Sequence, residues 1–267
     1  MDKENVRKTV RRGYAKIARD SCSCRSQEDP CCGGGTKAGQ FFSEAGYSAG
    51  DIAGVPDGAV VALACGNPLS YARPVSGEAV LDLGSGPGLD CFIASKAVGP
   101  TGSVVGVDMT PEMIDKAREN AASGGYENVE FRLGEIENLP AADNSVDIII
   151  SNCVINLSPE KARVFREALR VLRPGGRFVV SDVVLLEPLA EALRTREDLL
   201  VGCVANAEMK ERYLELIREA GFREVEVAQE RSYPIDGFEK EARVASIIVR
   251  GAKPIDKEGS KKEEGSK

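Results

Sequence analysis

Apolar residues recur along this chain in two rhythms, one helical and one strand-like. Near the amino terminus Val6, Val10, Tyr14 and Ile17 stand three or four positions apart within VRKTVRRGYAKIA. That spacing predicts a basic amphipathic helix over residues 1–18, read as a solvated helix with one apolar stripe. From about residue 78 short apolar runs alternate with helical patterns. EAVLDLG (78–84), GSVVGVD (102–108), NVEFRL (128–133), SVDIIIS (145–151) and GRFVVSDVV (176–184) read as strands. Between them, LDCFIASKAV (89–98) and PEMIDKARENAA (111–122) read as helices, the second with Thr110 as N-cap and Pro111 in its first turn. SPEKARVFREALRVL (158–172) reads as a third helix, capped by Ser158 and stopped by Arg173-Pro174-Gly175-Gly176.

Such alternation builds βαβ units around a mostly parallel sheet. Residues 185–207 interrupt it with a helical stretch, EPLAEALRTREDLL, followed by VGCVANA. After a last helix, EMKERYLELIREAGF, come FREVEVAQE and EARVASIIVRGA, two strands with no helix between them. They should form an antiparallel pair at the end of the sheet. The expected fold is α/β: doubly wound, with a mostly parallel seven-stranded sheet and an antiparallel C-terminal edge strand. Residues 1–75 form an N-terminal extension, in which the Cys-, Gly- and Pro-containing stretch 20–40 reads as a loop and 41–75 as a turn-rich approach. The main domain is expected over 76–253, with an insertion at about 185–207, and the charged, low-complexity tail 254–267 is expected to be disordered.

Charge and composition narrow the chemistry. Lys plus Arg is 35 and Asp plus Glu is 42, a net charge of −7, with no Trp and 5% aromatic residues. Nothing in that balance recruits nucleic acid as a partner. No run approaches the ~18 apolar residues of a membrane span, and the charged opening MDKENVRKTVRR lacks a secretory leader's apolar stretch, so a cytoplasmic protein with no membrane partner is expected. The chain contains no histidine. Ser-His-Asp and Cys-His machinery are therefore excluded, as is any zinc site that uses His.

Its distinctive resource is thiols: Cys22, Cys24, Cys31, Cys32, Cys65, Cys91, Cys153 and Cys203. In a reducing compartment these stay free unless they cycle through catalysis. The spacing of Cys22, Cys24, Cys31 and Cys32 is not that of a zinc ribbon, and a zinc knuckle is the weaker reading. Cys91, on a predicted helix, reads as a small core residue.

The sharpest local motif is Asp82-Leu83-Gly84-Ser85-Gly86-Pro87-Gly88, between a buried strand and a helix. A glycine turn there lets backbone approach a ligand at the strand's carboxyl end. The third glycine comes two positions after the second, not three as in the dinucleotide fingerprint. Asp108 closes the next strand 20 residues after Gly88, where a carboxylate can accept ribose hydroxyls. This D-x-G-x-G-x-G pattern resembles the first motif of the S-adenosylmethionine-dependent methyltransferases of class I. That resemblance implies Gly84 and Gly86 under the methionine portion of S-adenosylmethionine, Asp82 in the polar network beside it, and Met109 on the adenine face. It also implies Glu135 accepting from the adenine amine, the Ile136 amide reaching a ring nitrogen, and Asn152 among the cofactor contacts.

Methyl transfer to nitrogen or oxygen usually requires an acceptor to lose a proton, and without His a soft acceptor that needs no base fits better. Cys153 follows the fourth strand, Cys203 lies in the insertion, and Cys65 lies in the segment leading to the first strand. The first two point to the crevice beyond the carboxyl ends of the strands, and Cys65 can fold over it. The string ISNCVINLSPEKARVFREALRVLRPGGRF, with CGNP and SEAGYS upstream, GEIENLP, and GCVANA downstream, resembles the arsenite S-adenosylmethionine methyltransferases. The resemblance implies Cys65, Cys153 and Cys203 as arsenic ligands and no catalytic metal ion. A fourth family cysteine, able to pair with Cys65, falls at Cys31 or Cys32. Trivalent arsenic is thiophilic and thiolates are a protein's soft ligands. The substrate expected is arsenite or its thiol conjugates, with a thiol reductant such as thioredoxin or glutathione resetting any disulfide. Two rival readings remain at this level: methylation of an organic small molecule, and a non-catalytic thiol protein that binds metalloid.

Overall fold

In the computed structural model, residues 2–20, 35–61, 63–234 and 243–255 are described. Cys22, Cys24, Cys31, Cys32 and nearly all of the charged tail fall outside them. The chain opens with helices α1 (Lys3–Asp20), α2 (Gly35–Ala45), α3 (Ala49–Ala53) and α4 (Leu69–Ala72). The alternating part follows: β1 (Ala79–Leu83), α5 (Leu89–Val98), β2 (Ser103–Asp108), α6 (Pro111–Gly124), β3 (Val129–Leu133), β4 (Val146–Asn152), α7 (Lys161–Val171) and β5 (Leu172–Leu185). It ends with α8 (Glu191–Arg194), α9 (Glu197–Val201), α10 (Lys210–Glu219), β6 (Arg223–Pro234) and β7 (Arg243–Ala252).

The strands form one seven-stranded sheet in the order β3-β2-β1-β4-β5-β7-β6. β1 to β5 pair in parallel, and β7 runs antiparallel to both β5 and β6. The antiparallel strand therefore stands one place in from the margin, with β6 outermost. One face of the sheet packs Val164, Phe165 and Ala168 of α7 and Tyr213 and Ile217 of α10. Phe92 and Ala94 of α5, Ile114 of α6 and Phe42 of α2 pack in a second core cluster. Helices on both faces explain why the parallel strands read as continuous apolar runs. Among the described residues no helix is long and apolar enough to cross a membrane.

Several elements differ from the sequence expectation for definable reasons. α7 begins at Lys161, not Ser158. Ser158 precedes Pro159 and takes an extended backbone (φ −74°, ψ 132°), as the proline ring favours. Its hydroxyl donates to Glu137 Oε1 (2.6 Å) and accepts from the Glu160 amide (3.0 Å). Thr110 stands at the N-cap of α6 but makes no side-chain cap. Pro174-Gly175 does not interrupt the chain before β5: Leu172 already pairs with Val146, and the strand runs on through a register shift. The single helix expected in the insertion is two short ones, and the Thr195 hydroxyl donates to the Ala192 carbonyl at the break. Residues 35–40, expected as loop, belong to α2.

α1 is not simply a solvated helix. Val6, Val10, Ala15 and Ala18 are buried, and the stripe packs on a third cluster made of Leu157, Leu193, Leu200, Val204 and neighbours from the insertion. That cluster sits beyond the carboxyl ends of the central strands.

The glycine turn tests this packing. Gly88 has φ +103°, and a Cβ there would stand 2.7 Å from the rings of Phe131 and Phe92. Gly86 has φ +51° and a Cβ there meets nothing within 4 Å. Gly88→Ala is expected to cost about 2–4 kcal/mol in urea unfolding, from backbone strain and overpacking together. Gly86→Ala is expected to cost only about 1–2 kcal/mol. Equal losses for the two would contradict the packing described.

Candidate functional site

Five residues, Gly84 to Gly88, connect β1 to α5. Asp108 ends β2 beside them and accepts from the Gly86 amide through Oδ2 (3.0 Å) and from the Thr110 amide through Oδ1 (2.8 Å). The Thr110 hydroxyl and the Met109 amide lie against the same carboxylate. Burial pushes the Asp108 carboxyl above its ordinary value. The Ser85 hydroxyl is buried without a hydrogen-bond partner. An orphaned hydroxyl, a bare Gly86 and a buried carboxylate closing the next strand fit the polar part of a nucleoside. They line a cleft whose empty space, including its open mouth, is about 990 Å³, large enough for a cofactor of that size. Met109, Ile136 and Glu137 continue its wall.

Two buried carboxylates lie on the same wall. Asp82, at 3% exposure, accepts from the Cys91 thiol (3.3 Å), and burial followed by the neighbouring Asp90 pushes it well above the usual carboxylate range. Asp90 accepts from the Tyr47 hydroxyl (2.7 Å) and from Asn152 Nδ2 (3.2 Å). Burial nonetheless pushes Asp90 up to about 6.

Asn152, the last residue of β4, joins this acidic wall to the cysteines. Its Nδ2 also reaches the Tyr47 oxygen (2.8 Å) and the Gly66 carbonyl (2.7 Å), while its Oδ1 accepts from the Cys65 amide (3.1 Å). The Cys65 thiol stands 3.7 Å from the same Oδ1 and 3.4 Å from the Ser181 hydroxyl. The Cys65 carbonyl accepts from Ser246 of β7 (2.6 Å). One carboxamide thus pins the CGNP segment to the end of β4.

The structure brings Cys65, Cys153 and Cys203 together. Cys203 Sγ donates to the Cys153 carbonyl (2.9 Å), and the Cys153 thiol is flanked by those of Cys203 and Cys65. The Cys203 thiol, the Cys65 thiol and then burial push Cys153 well above the ordinary thiol range. Cys153 and Cys203 both hold left-handed backbones, φ +59° and +65°, at a cost of about 1–3 kcal/mol each. Such strain persists where the surrounding structure enforces it: the Cys153 amide bonds to the Ser181 carbonyl (2.8 Å), and Asn206 Nδ2 ties the Cys203 loop to the Asn156 and Ser158 carbonyls (2.8 and 2.9 Å). Among the described residues no three Cys, Asp or Glu groups surround a common point as a preset metal site would. The thiols are adjacent. All three are free.

Not every expected residue faces the cleft. Glu135 ion-pairs with Arg11 (3.4 Å) and Arg7 (3.8 Å) of α1, and the cleft wall at this point is Ile136 and Glu137. Tyr47, Asp90, Arg7 and Tyr14 line or support the site; the sequence pattern marks Tyr14 only as part of an apolar stripe and does not mark the other three. Asp90 carries one signal, an acid two residues past a glycine turn, but acids are common in a helix's first turn.

Residues 74–221 match the methyltransferase-domain family. An arsenite methyltransferase from Halobacterium salinarum is 51% identical over 234 residues, 85% of this chain and 60% of that protein. The human arsenite methyltransferase is 40% identical over 152 residues, 54% of this chain and 40% of the human protein. The chain thus spans about half the length of these relatives. The crystal structure of an arsenic(III) S-adenosylmethionine methyltransferase from Chlamydomonas reinhardtii superposes with TM-score 0.64 at 41% identity, covering 70% of this chain and 66% of that one.

The raised Asp90 has a consequence for stability. Its folded carboxyl holds a proton up to about pH 6 against an ordinary value of 3.8, so the native state binds that proton more tightly than the unfolded chain. The contribution is full below about pH 4 and is lost as pH rises through 6, worth at most about 3 kcal/mol. Asp182, also pushed up to about 6 by burial, acts with the same sign. Urea unfolding of Asp90→Asn between pH 4 and 7.5 should therefore show a shallower pH dependence than the unsubstituted chain; an unchanged slope would contradict it.

Proposed function

We propose, from the premise that this chain belongs to the methyltransferase-domain family, that it transfers a methyl group from S-adenosylmethionine to trivalent arsenic held by Cys65, Cys153 and Cys203. The observation that carries the reading is the junction at Asn152. The same side chain bonds to Asp90 on the glycine-turn wall and to Cys65 beside the other thiols. Donor and acceptor sites therefore share one wall, as direct transfer requires. The names and sequence identities of the relatives supply the element.

Arsenite binds by exchanging its three hydroxyls for three thiols, releasing three waters. The exchange needs no side-chain base, in keeping with a chain that contains no histidine. S-Adenosylmethionine supplies an electrophilic methyl on a sulfonium sulfur; the arsenic lone pair takes it, an arsenic–carbon bond replaces the carbon–sulfur bond, and that bond's electron pair remains on sulfur. Asp108 holds the ribose hydroxyls, Gly86 leaves room for the backbone of the turn to approach, and Asp82 and Asp90 face the donor's cationic groups. The protein's contribution is positioning, which is worth up to ~7–11 kcal/mol when reacting atoms are held in near-attack geometry.

The product arsenic is formally pentavalent, two electrons poorer than before. The Cys31 or Cys32 thiol gives up its proton and attacks the arsenic-bound sulfur of Cys65; the disulfide forms as the arsenic–sulfur bond to Cys65 breaks, that bond's electron pair returns arsenic to the trivalent state, and an external thiol reductant such as thioredoxin or glutathione reduces the disulfide. Free thiols and such a reductant belong to a reducing compartment, the cytoplasm in this reading.

Cys153→Ser is expected to lower arsenite methylation at least 100-fold, read as methyl transfer from labelled S-adenosylmethionine, while leaving the donor's Kd within about threefold. Wild-type turnover in that variant would overturn the thiol reading. Tight arsenite binding with no loss of labelled methyl by the wild-type chain would point to metalloid sequestration, and turnover of an organic acceptor without arsenite turnover to a conventional methyltransferase. Donor binding should itself depend on pH. Asp90 is ionised above about pH 6, and a cationic ligand prefers it so. Affinity measured by calorimetry should fall by up to about tenfold per unit as pH drops below 6, and a flat profile would remove Asp90 from the donor site.

A further inference from the structure

The family match begins at residue 74, yet α1, which ends at Asp20, sends Arg7, Val10 and Tyr14 into the cleft wall. The helix is held there by charge and by close packing. Arg7 pairs with Glu160 (2.6 Å) and Glu137 (3.2 Å), and Arg12 with Glu197 of α9 (3.0 Å). Gly13 approaches α9 so closely that a Cβ would stand 2.7 Å from Val201 Cγ2. Tyr14 follows directly. It packs against the apolar cluster that contains Cys203 and has Cys65, Cys153 and Met109 at its border. Its hydroxyl donates to the Val201 carbonyl over a long 3.4 Å and lies against the Cys203 thiol.

Resting on the thiol reading above, we propose that Tyr14 is a positioning residue for Cys203, its hydroxyl holding the sulfur once that sulfur has lost its proton and its ring closing the thiol site on the α1 side. The free Cys203 thiol is held by donating to the Cys153 carbonyl (2.9 Å). A sulfur that has ionised or bonded to arsenic has no proton to donate, so that hold is lost when chemistry begins. The Tyr14 hydroxyl takes over, exchanging its long bond to Val201 for one to sulfur. Burial, and then the neighbouring Cys203, keep the phenol protonated well above its ordinary range, so it remains a donor. The other titratable groups facing this pair are Cys153, Asp108 and Lys161, and substitution of Tyr14 alters none of them chemically. α1 thereby supplies to the thiol site what the shared domain does not: a donor and an aromatic wall.

The test uses the full chain and Tyr14→Phe, which keeps the ring. Cys203 alkylation by iodoacetamide, located by peptide mass spectrometry without arsenic present, should slow about threefold at pH 7.5. Its kcat for arsenite should fall by a similar factor with the KM for S-adenosylmethionine and the thermal midpoint unchanged. Tyr14→Ala, which removes the wall, should raise turnover of phenylarsenite relative to arsenite by about tenfold. Alkylation of Tyr14→Phe at the wild-type rate would overturn the proposal, whether or not Tyr14→Ala folds. If the wild-type chain fails to methylate arsenite, the functional reading falls, while the alkylation rate still decides the role of Tyr14.

Discussion

The site depends on one carboxamide. Asn152 ends β4 with its Nδ2 directed at Asp90, the Tyr47 oxygen and the Gly66 carbonyl, and its Oδ1 at the Cys65 amide. An amide group offers two donor hydrogens and one acceptor oxygen, so it can join elements that a carboxylate or an amine cannot. Three stretches far apart in sequence meet on it: the GYS segment after α2, the first turn of α5 and the CGNP segment. Removing it leaves the buried Asp90 with Tyr47 alone and releases the Cys65 backbone, and a buried polar group left unpaired costs about 1–3 kcal/mol.

The second constraint is the left-handed backbone at both Cys153 and Cys203. Cys153 directly follows β4 and Cys203 lies two residues beyond α9, and each segment is tied down by hydrogen bonds. Ser181 of β5 holds the Cys153 amide, and Asn206 holds the insertion loop to the turn after β4. The network reaches inward: Asp182 accepts from the Asn156 amide (3.2 Å) and side chain (2.9 Å), the Val183 amide (3.0 Å) and the Tyr213 hydroxyl (3.1 Å). The thiols are thus mounted on a buried polar scaffold and not on free loops, which limits how far they can spread.

Legibility in the sequence followed the range of each interaction. The strand-turn-helix around Gly86 and the carboxylate of Asp108 are local patterns, and they read directly. The parallel sheet reads from its alternating periods, whereas the start of α7 does not, because the Ser158 hydroxyl also serves Glu137, 21 positions away. Cys153 and Cys203 read as crevice residues from their places after the fourth and fifth strands, with Cys65 able to fold over them, while their role as arsenic ligands comes from the family resemblance, since spacing alone does not name what they bind. Tyr47, Asp90 and Tyr14 lay beyond reach, because each acquires its part from a neighbour more than 40 positions away. α1 shows the division well: its apolar stripe was plain, while what covers the stripe is settled by the insertion. Glu135 shows the reverse, an expected ligand contact that faces the arginines of α1.

The central claim, that these thiols share one arsenic atom, is accessible to arsenic K-edge X-ray absorption on the full chain loaded with one equivalent of arsenite under reducing conditions. The account predicts a first shell of three sulfur atoms that loses sulfur when Cys153 is replaced by serine. A shell of oxygen alone, or a three-sulfur shell that survives replacement of Cys65, Cys153 and Cys203 together, would contradict it.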